Sequence, residues 1–255
     1  MARFYPTQVT RLTISAALLL AALLTPPTYA QQGYLLPSYN AIYATSIKGF
    51  TIDGYRSLRR DDNGIYRLHM KAKALLMTLS EESYFAVSDN GTLIPHSYQY
   101  TFNKPIGRAR EQSITFNWTN MTAEGKTKKS WQVPLTQGMS DRLNVLTALR
   151  VHMMTHGTDS YEANIVDKGE VKSYTLSFKG RESITTPMGQ IDTVLMARDD
   201  ADRKSYFWLA PTWNYQLIRF VQEESDGDRY ELNLKHLEFA PGEEPSALTL
   251  ASTKA

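Results

Sequence analysis

The chain contains no cysteine in its 255 residues. No disulfide can staple it, no thiolate can act as a nucleophile, and no cysteine is present to carry an N-terminal lipid. It also lacks a long apolar run. The longest apolar segment, "LTISAALLLAALL" near the N-terminus, is about a dozen residues, whereas a membrane-spanning helix needs roughly 20. No phosphate-cradling glycine loop and no Gly-x-Ser-x-Gly elbow occur. An excess of one charge is missing as well, with 28 Lys+Arg against 26 Asp+Glu.

What the N-terminus does have is the layout of a secretory signal. Arg3 and Arg11 precede the apolar run, and "PPTYA" follows it with small side chains at Thr28 and Ala30. Cleavage after Ala30 would remove two arginines and no acid, leaving 26 basic against 26 acidic groups. A balanced mature chain gives no bulk electrostatic case for nucleic acid. The expected organisation is a signal peptide over 1–30, one β-rich domain over 31–240 and a loose tail over 241–255. The expected compartment is a bacterial periplasm, with no transmembrane segment in the mature chain.

Period two dominates the rest. Tyr66, Leu68, Met70, Ala72, Ala74 and Leu76 alternate with Arg67, His69, Lys71 and Lys73, which predicts one unusually long half-buried strand. Similar alternation runs through residues 97–102, 113–118, 174–179, 215–222 and 229–239. "DDNG" (61–64), "SDNG" (88–91), "DKGE" (167–170) and "SDGD" (225–228) read as tight hairpin turns. "TTPMGQ" (185–190) and "PTWN" (211–214) read as turns of a C-terminal meander. Within it, Tyr206 and Trp208 share one face and Phe207 and Leu209 the other, so that strand should be sandwiched. About a dozen strands joined by short loops predict antiparallel pairing.

One segment is helical. "SDRLNVLTALRVHMMTHG" (140–157) carries Leu143, Leu146, Leu149, Met153 and Met154 near helical spacing, with Ser140 as the expected N-cap and Gly157 as the expected stop. The fold class that follows is all-β and mainly antiparallel. It is a single long curved sheet, half-barrel or barrel-like, with one covering helix near 140–157.

Catalytic signals are weak. His152 and His156 are four apart but lack the glutamate of a His-Glu-x-x-His site, and paired acids such as Asp199–Asp200 point to opposite faces of a strand. No catalytic residue, metal site or cofactor is assigned. Tyrosines and methionines around a curved sheet can instead line an amphipathic pocket. The ligand-lining candidates are Tyr66, Leu68, Met70, Leu146, Met153, Tyr206 and Trp208, with Leu146 and Met153 gating the pocket from the helix.

The stretch from 185 to 234, "TTPMGQIDTVLMARDDADRKSYFWLAPTWNYQLIRFVQEESDGDRYELNL", resembles the signature of a family of exported bacterial proteins, the domain-of-unknown-function family 3108. The matching residues include Pro187, Gly189, Arg203, Trp208, Tyr215 and Arg219, to which the resemblance gives structural roles. It spans roughly residues 37–240. Gln216 replaces the family's usual proline, removing a rigid kink. The resemblance implies a fold similar to the half-barrels of periplasmic lipoprotein carriers, and no reaction. The expected function is therefore binding or carriage of a hydrophobic or lipid-like ligand without catalysis. The alternatives are a cell-envelope scaffold with a protein partner and a filled interior, and an envelope hydrolase. A pocket above roughly 300 Å³ would separate the first from the second.

Overall fold

A computed structural model describes residues 36–47, 50–200 and 203–245. The expected signal peptide with its cut after Ala30, and the tail beyond residue 245, lie outside the described residues. The elements are β1 (Tyr39–Ile47), β2 (Phe50–Arg60), β3 (Tyr66–Ala74), β4 (Met77–Val87), β5 (Leu93–Asn103), β6 (Arg110–Asn117), β7 (Thr122–Lys126), β8 (Ser130–Pro134), β9 (Met139–Ser140), α1 (Val145–His156), β10 (Ser160–Asp167), β11 (Glu170–Thr186), β12 (Gly189–Asp199), β13 (Arg203–Ala210), β14 (Gln216–Glu224) and β15 (Arg229–Phe239). They form one sheet in the order β8-β7-β6-β5-β4-β3-β2-β1-β15-β14-β13-β12-β11-β10-β9. Every pairing is antiparallel except the short β9–β10 contact. The all-β, single-sheet expectation therefore holds.

The sheet is not closed by backbone pairing. Its two edge strands, β8 and β9, are consecutive in sequence, so the curl brings its ends together. Side chains bridge the gap. Gln112 on β6 donates to Asp167 at the end of β10 at 3.2 Å. Trp131 on β8 lies against Gly169 in the β10–β11 turn, where a Cβ would come within 2.9 Å of the indole. That approach, together with a φ of +85°, requires glycine at 169.

Two expectations about elements need correction. The long strand from Tyr66 to Leu76 is broken into β3 and β4 by a two-residue turn at Leu75 and Leu76. No turn residue marks it, and Leu75 sits at φ +50°, a region that asparagine and glycine occupy far more readily than leucine. The helix begins at Val145, not near residue 140, because Ser140 is held in β9 and Asp141 organises a turn. The Asp141 Oδ1 accepts from the amides of Leu143 and Asn144, both at 2.8 Å, and its carbonyl accepts from Val145 at 3.1 Å. Gly157, at φ +93°, follows the last helical residue as expected.

The helix does not cover the mouth of the sheet. Thr147, Ala148, Leu149, Arg150 and Val151 are all buried. Five consecutive buried positions cover every azimuth of a helix, so α1 is enclosed by the curled sheet. It runs from mid-strand level, where Asn144 bonds Ser83 on β4 at 3.1 Å. It points toward the rim that holds the Pro211–Trp213 turn, where Arg150 donates to the Asn214 carbonyl at 3.0 Å. The buried core packs around it and includes Tyr66, Leu68, Phe85, Tyr98, Ile114, Leu149, Met153 and Met196. The first residues after β15 are tied down, with Glu243 accepting from the Ser38 amide at 2.7 Å.

This placement separates two helix residues by what surrounds them. Met153 is 1% exposed inside the core, and Leu146 is only half-buried. In urea unfolding, Met153→Ala should cost about 2–5 kcal/mol and Leu146→Ala under about 2 kcal/mol. Equal losses would show that the two sites are packed alike.

Candidate functional site

Because α1 fills only one half of the curl, the other half is open. A cleft of about 890 Å³ lies there, against the start of the helix. Its apolar wall is Leu143, Val145 and Leu146 from the helix side and Ile165, Phe207, Leu217, Phe220 and Leu232 from the sheet. The strand period explains the set. Arg203, Ser205 and Phe207 alternate inward along β13, while Tyr206 and Trp208 take the other face.

The cleft's charged groups are mostly cationic. Arg56, Arg142, Lys172, Arg198 and Arg203 contribute to its wall, with Asp167 as the one carboxylate. Four of these cations have acid partners. Arg142 reaches Glu81 at 3.1 Å, Lys172 reaches Asp167 at 3.2 Å, Arg203 reaches Glu224 at 3.0 Å, and Arg198 pairs with Asp200 while lying 4.3 Å over the Tyr174 ring. Arg56 differs. It donates to the Tyr39 hydroxyl and to the Leu143 carbonyl, both at 3.2 Å, and among the described residues no carboxylate forms an ion pair with it.

Behind Arg56 is a buried cluster made by residues distant in sequence. Arg150, 2% exposed, lies 5.6 Å from the Tyr39 ring and leaves its Nη2 without a partner. Gln216 donates to the Tyr43 hydroxyl at 3.0 Å, and that hydroxyl donates to the Leu217 carbonyl at 2.9 Å. Burial opposes ionisation of Tyr39, but Arg56 and then Arg150 outweigh it and hold its hydroxyl below the ordinary tyrosine value. Burial, reinforced by Tyr39, raises Tyr43 instead, and burial lowers Arg150. Burial opposes the charge of Arg56, but Tyr39, Tyr43 and then Glu81 outweigh it and raise its value. Arg150, lowered by burial and with Nη2 unpartnered, is the guanidinium of the pair that an added anion would favour.

A second buried cluster anchors the helix start. Asp141 Oδ2 accepts from the Ser83 hydroxyl at 2.6 Å, and Tyr98 donates to Glu81 at 2.8 Å. Burial pushes the Asp141 carboxyl up to about 7, against the hydrogen bonds from Ser83, Asn144 and Leu143 that favour its charged form.

The expected ligand-lining residues are not brought together. Leu146 is in the cleft wall. Tyr66, Leu68 and Met153 are sealed in the core, and Met70 packs at its edge, because the inner face of β3 meets other side chains and not the cleft. The Tyr206 and Trp208 rings meet in a tilted pair, 6.1 Å between centroids, on the opposite face from Phe207. That face is not sandwiched. Trp208 donates to Glu182, and Arg219 lies 5.0 Å over its ring while pairing with Glu231 at 3.0 Å. Pro187 and Gly189 shape the β11–β12 turn, with Gly189 at φ +108° and Thr186 donating to the Gly189 carbonyl at 2.9 Å. Tyr215 is at φ +54° in the turn before β14. His152 and His156 stack at 4.9 Å, and His152 donates to the Ser160 carbonyl at 3.1 Å. Among the described residues no three His, Asp or Glu gather as a metal site.

Residues 38–235 match the model of a family described as protein of unknown function, DUF3108. The chain belongs to this family. No curated protein matches it in sequence. Its structure is similar to the crystal structure of a β-barrel-like protein of domain of unknown function DUF1849 from Brucella abortus, with 13% identity, 81% of this chain and 99% of that chain covered, and a TM-score of 0.52. That likeness is one of fold. A structure described as an outer membrane lipoprotein-sorting protein domain from Vibrio parahaemolyticus also matches, at 9% identity over 82% of this chain and 88% of that one. Its TM-score of 0.24 is too low to carry an argument about fold or ligand. Gln216 in this DUF3108 chain puts a side-chain amide into the Tyr39–Tyr43 cluster.

The buried Asp141 predicts a pH dependence of stability. Its folded value lies above the ordinary 3.8, so the native state binds more protons than the unfolded chain between about pH 4 and pH 7. Stability from this group is full below that window and is lost as pH rises through it. Asp141→Asn mimics the protonated carboxyl, with oxygen toward the amides and nitrogen toward Ser83. Between pH 5 and pH 8 the wild type should lose about 5 °C more of its melting temperature than the variant does. Parallel melting curves for the two proteins would show Asp141 to be ionised without cost.

Proposed function

We propose that the chain is a periplasmic, non-catalytic carrier that binds an amphiphile with an acid head group in the 890 Å³ cleft. The supporting observation is the pairing of an extended apolar wall with Arg56, a guanidinium that has no carboxylate partner, at the helix start. The tail of such a ligand would lie along Leu146, Phe207 and Phe220, and its head group would pair with Arg56 beside the Tyr39 hydroxyl. The volume falls within the range of small-molecule sites, roughly 300–1,000 Å³. A scaffold with a wholly filled interior fits this half of the curl poorly, although α1 does fill the other half. The signal-like N-terminus supports export.

The test compares dodecanoate with dodecanol by titration calorimetry, using delipidated protein. The acid should bind about tenfold or more tightly, since a hydrogen bond to a charged group is worth about 1.5–3 kcal/mol. Arg56→Met should remove that preference and leave alcohol binding near its original level. A melting curve establishes that the variant is folded. Equal affinity of the wild type for acid and alcohol, or uptake of neither, sinks the proposal. The intact mass of the exported chain should correspond to a start at Gln31.

A further inference from the structure

The hairpin ends of β3–β4 and β5–β6 sit side by side, because the register pairs Thr78 with Asn103. Their tips carry large apolar side chains in water. Leu75 is 81% exposed, Leu76 74% and Ile106 85%. Such a tip is unfavourable twice. It leaves aliphatic surface hydrated, and it forces Leu75 to φ +50°. The chain builds other hairpins of this sheet with Asp-Asn-Gly (62–64) and Asp-Gly (226–227), so the cheaper solution is within its repertoire.

Charge around these tips is mainly positive, with Glu111 beside Arg110 as the nearest acid. Lys71 and Lys73 flank the first tip, and Lys104, Arg108 and Arg110 flank the second. Lys126, Lys128 and Lys129 border the β7–β8 turn at the same ends of the strands. All eight are exposed, no acid occurs within residues 71–77, 104–110 or 126–129, and among the described residues none of the eight is in an ion pair. This is a local segregation in a chain whose mature part balances 26 against 26.

We propose that this rim docks on a lipid bilayer whose surface carries anionic head groups. The apolar side chains stand on two narrow protruding tips and do not form the broad, flat face of roughly 800 Å² that a stable protein partner needs. A bilayer interface accepts such protrusions. Apolar tips enter the acyl boundary, and the surrounding cations sit at the head groups of an anionic leaflet. The positive surface is confined to the β3–β8 end of this rim. Farther along it Lys172, Arg198 and Arg203 each pair with an acid, and the β14–β15 turn carries Asp226 and Asp228. These three cations also line the cleft, so docking by the β3–β8 end would bring the cleft's side of the rim near the membrane.

Sedimentation with vesicles tests it. The purified chain should bind phosphatidylcholine vesicles containing about one-third phosphatidylglycerol at low salt, bind pure phosphatidylcholine at least about tenfold more weakly, and be released at high salt. The double variant Leu75→Gly/Leu76→Asn suits a turn with positive φ at its first position, so it should melt no lower than the wild type. It should nevertheless lose about tenfold or more of vesicle binding, while taking up dodecanoate as the wild type does. Lys104→Glu/Arg108→Glu should abolish the preference for anionic vesicles. Failure of the wild type to bind anionic vesicles, or unchanged binding by the double variant, overturns the proposal. Dodecanoate uptake, measured separately, decides the cleft reading independently of either result.

Discussion

The Asp141 carboxylate joins the helix to the sheet, and the open cleft depends on that junction. One of its oxygens organises the turn that starts α1, and the other accepts from Ser83 in the middle of β4. Arg56 adds a second tie by donating to the Leu143 carbonyl from β2. These bonds hold the first helical turn at mid-strand height. From there, a helix of 12 residues is about 18 Å long, enough to reach the rim at Asn214 but unable to fill the other half of the curl. A helix started near residue 140, as the apolar spacing suggests, would reach back into that half. The carboxylate is kept despite its burial because an apolar substitute could not satisfy two backbone amides and a serine hydroxyl at once.

An open sheet of fifteen strands has two edges to protect. Here both are short. β8 has five residues and ends in a proline, and β9 has two. They are joined by a four-residue link, and the gap between them is spanned by Trp131 on Gly169 and by Gln112 on Asp167. Closing the gap with side chains leaves the curvature free of the register that a fully hydrogen-bonded barrel would impose. That freedom lets the lumen hold a helix at one end and a cleft at the other. Asp167 takes part in both features, since it accepts from Gln112 across the gap and pairs with Lys172 on the cleft wall.

The parts legible in the sequence are those with short-range causes. Alternation along each strand, Asn-Gly and Asp-Gly at the turns, and Gly157 after the helix each depend on neighbours a few residues away. Three kinds of feature were hidden. The turn at Leu75 has no turn residue, so period two runs through it unbroken. The inward face of β13 could not be chosen, because Phe207 and Trp208 are both aromatic and only the polar partners of Trp208, Glu182 and Arg219, show which side faces out. The Arg56–Tyr39–Arg150 cluster joins β2, β1 and α1, and no spacing in the sequence foretells it. Gln216 was the one available pointer. The resemblance gives it only the loss of a rigid kink, whereas its side chain reaches Tyr43.

The two ends of the lumen differ in how charge is managed. At the closed end, Arg150 is almost fully buried and is offset only by a carbonyl, the Tyr39 ring and a hydroxyl that its own field makes more acidic. Such an arrangement is costly in a low-dielectric interior and resembles a site that waits for a counter-charge more than one that supplies it. At the open end, Arg198 and Arg203 have carboxylates of their own and stay partly in water, where ion pairs contribute little either way. An anionic head group moving inward from the rim would thus leave guanidiniums paired with carboxylates and arrive at one whose nearest partners are a hydroxyl and a carbonyl. Arg56 is held by the Tyr39 hydroxyl and the Leu143 carbonyl, with no carboxylate in contact, and the apolar wall between it and the mouth offers a tail a continuous path along the same route.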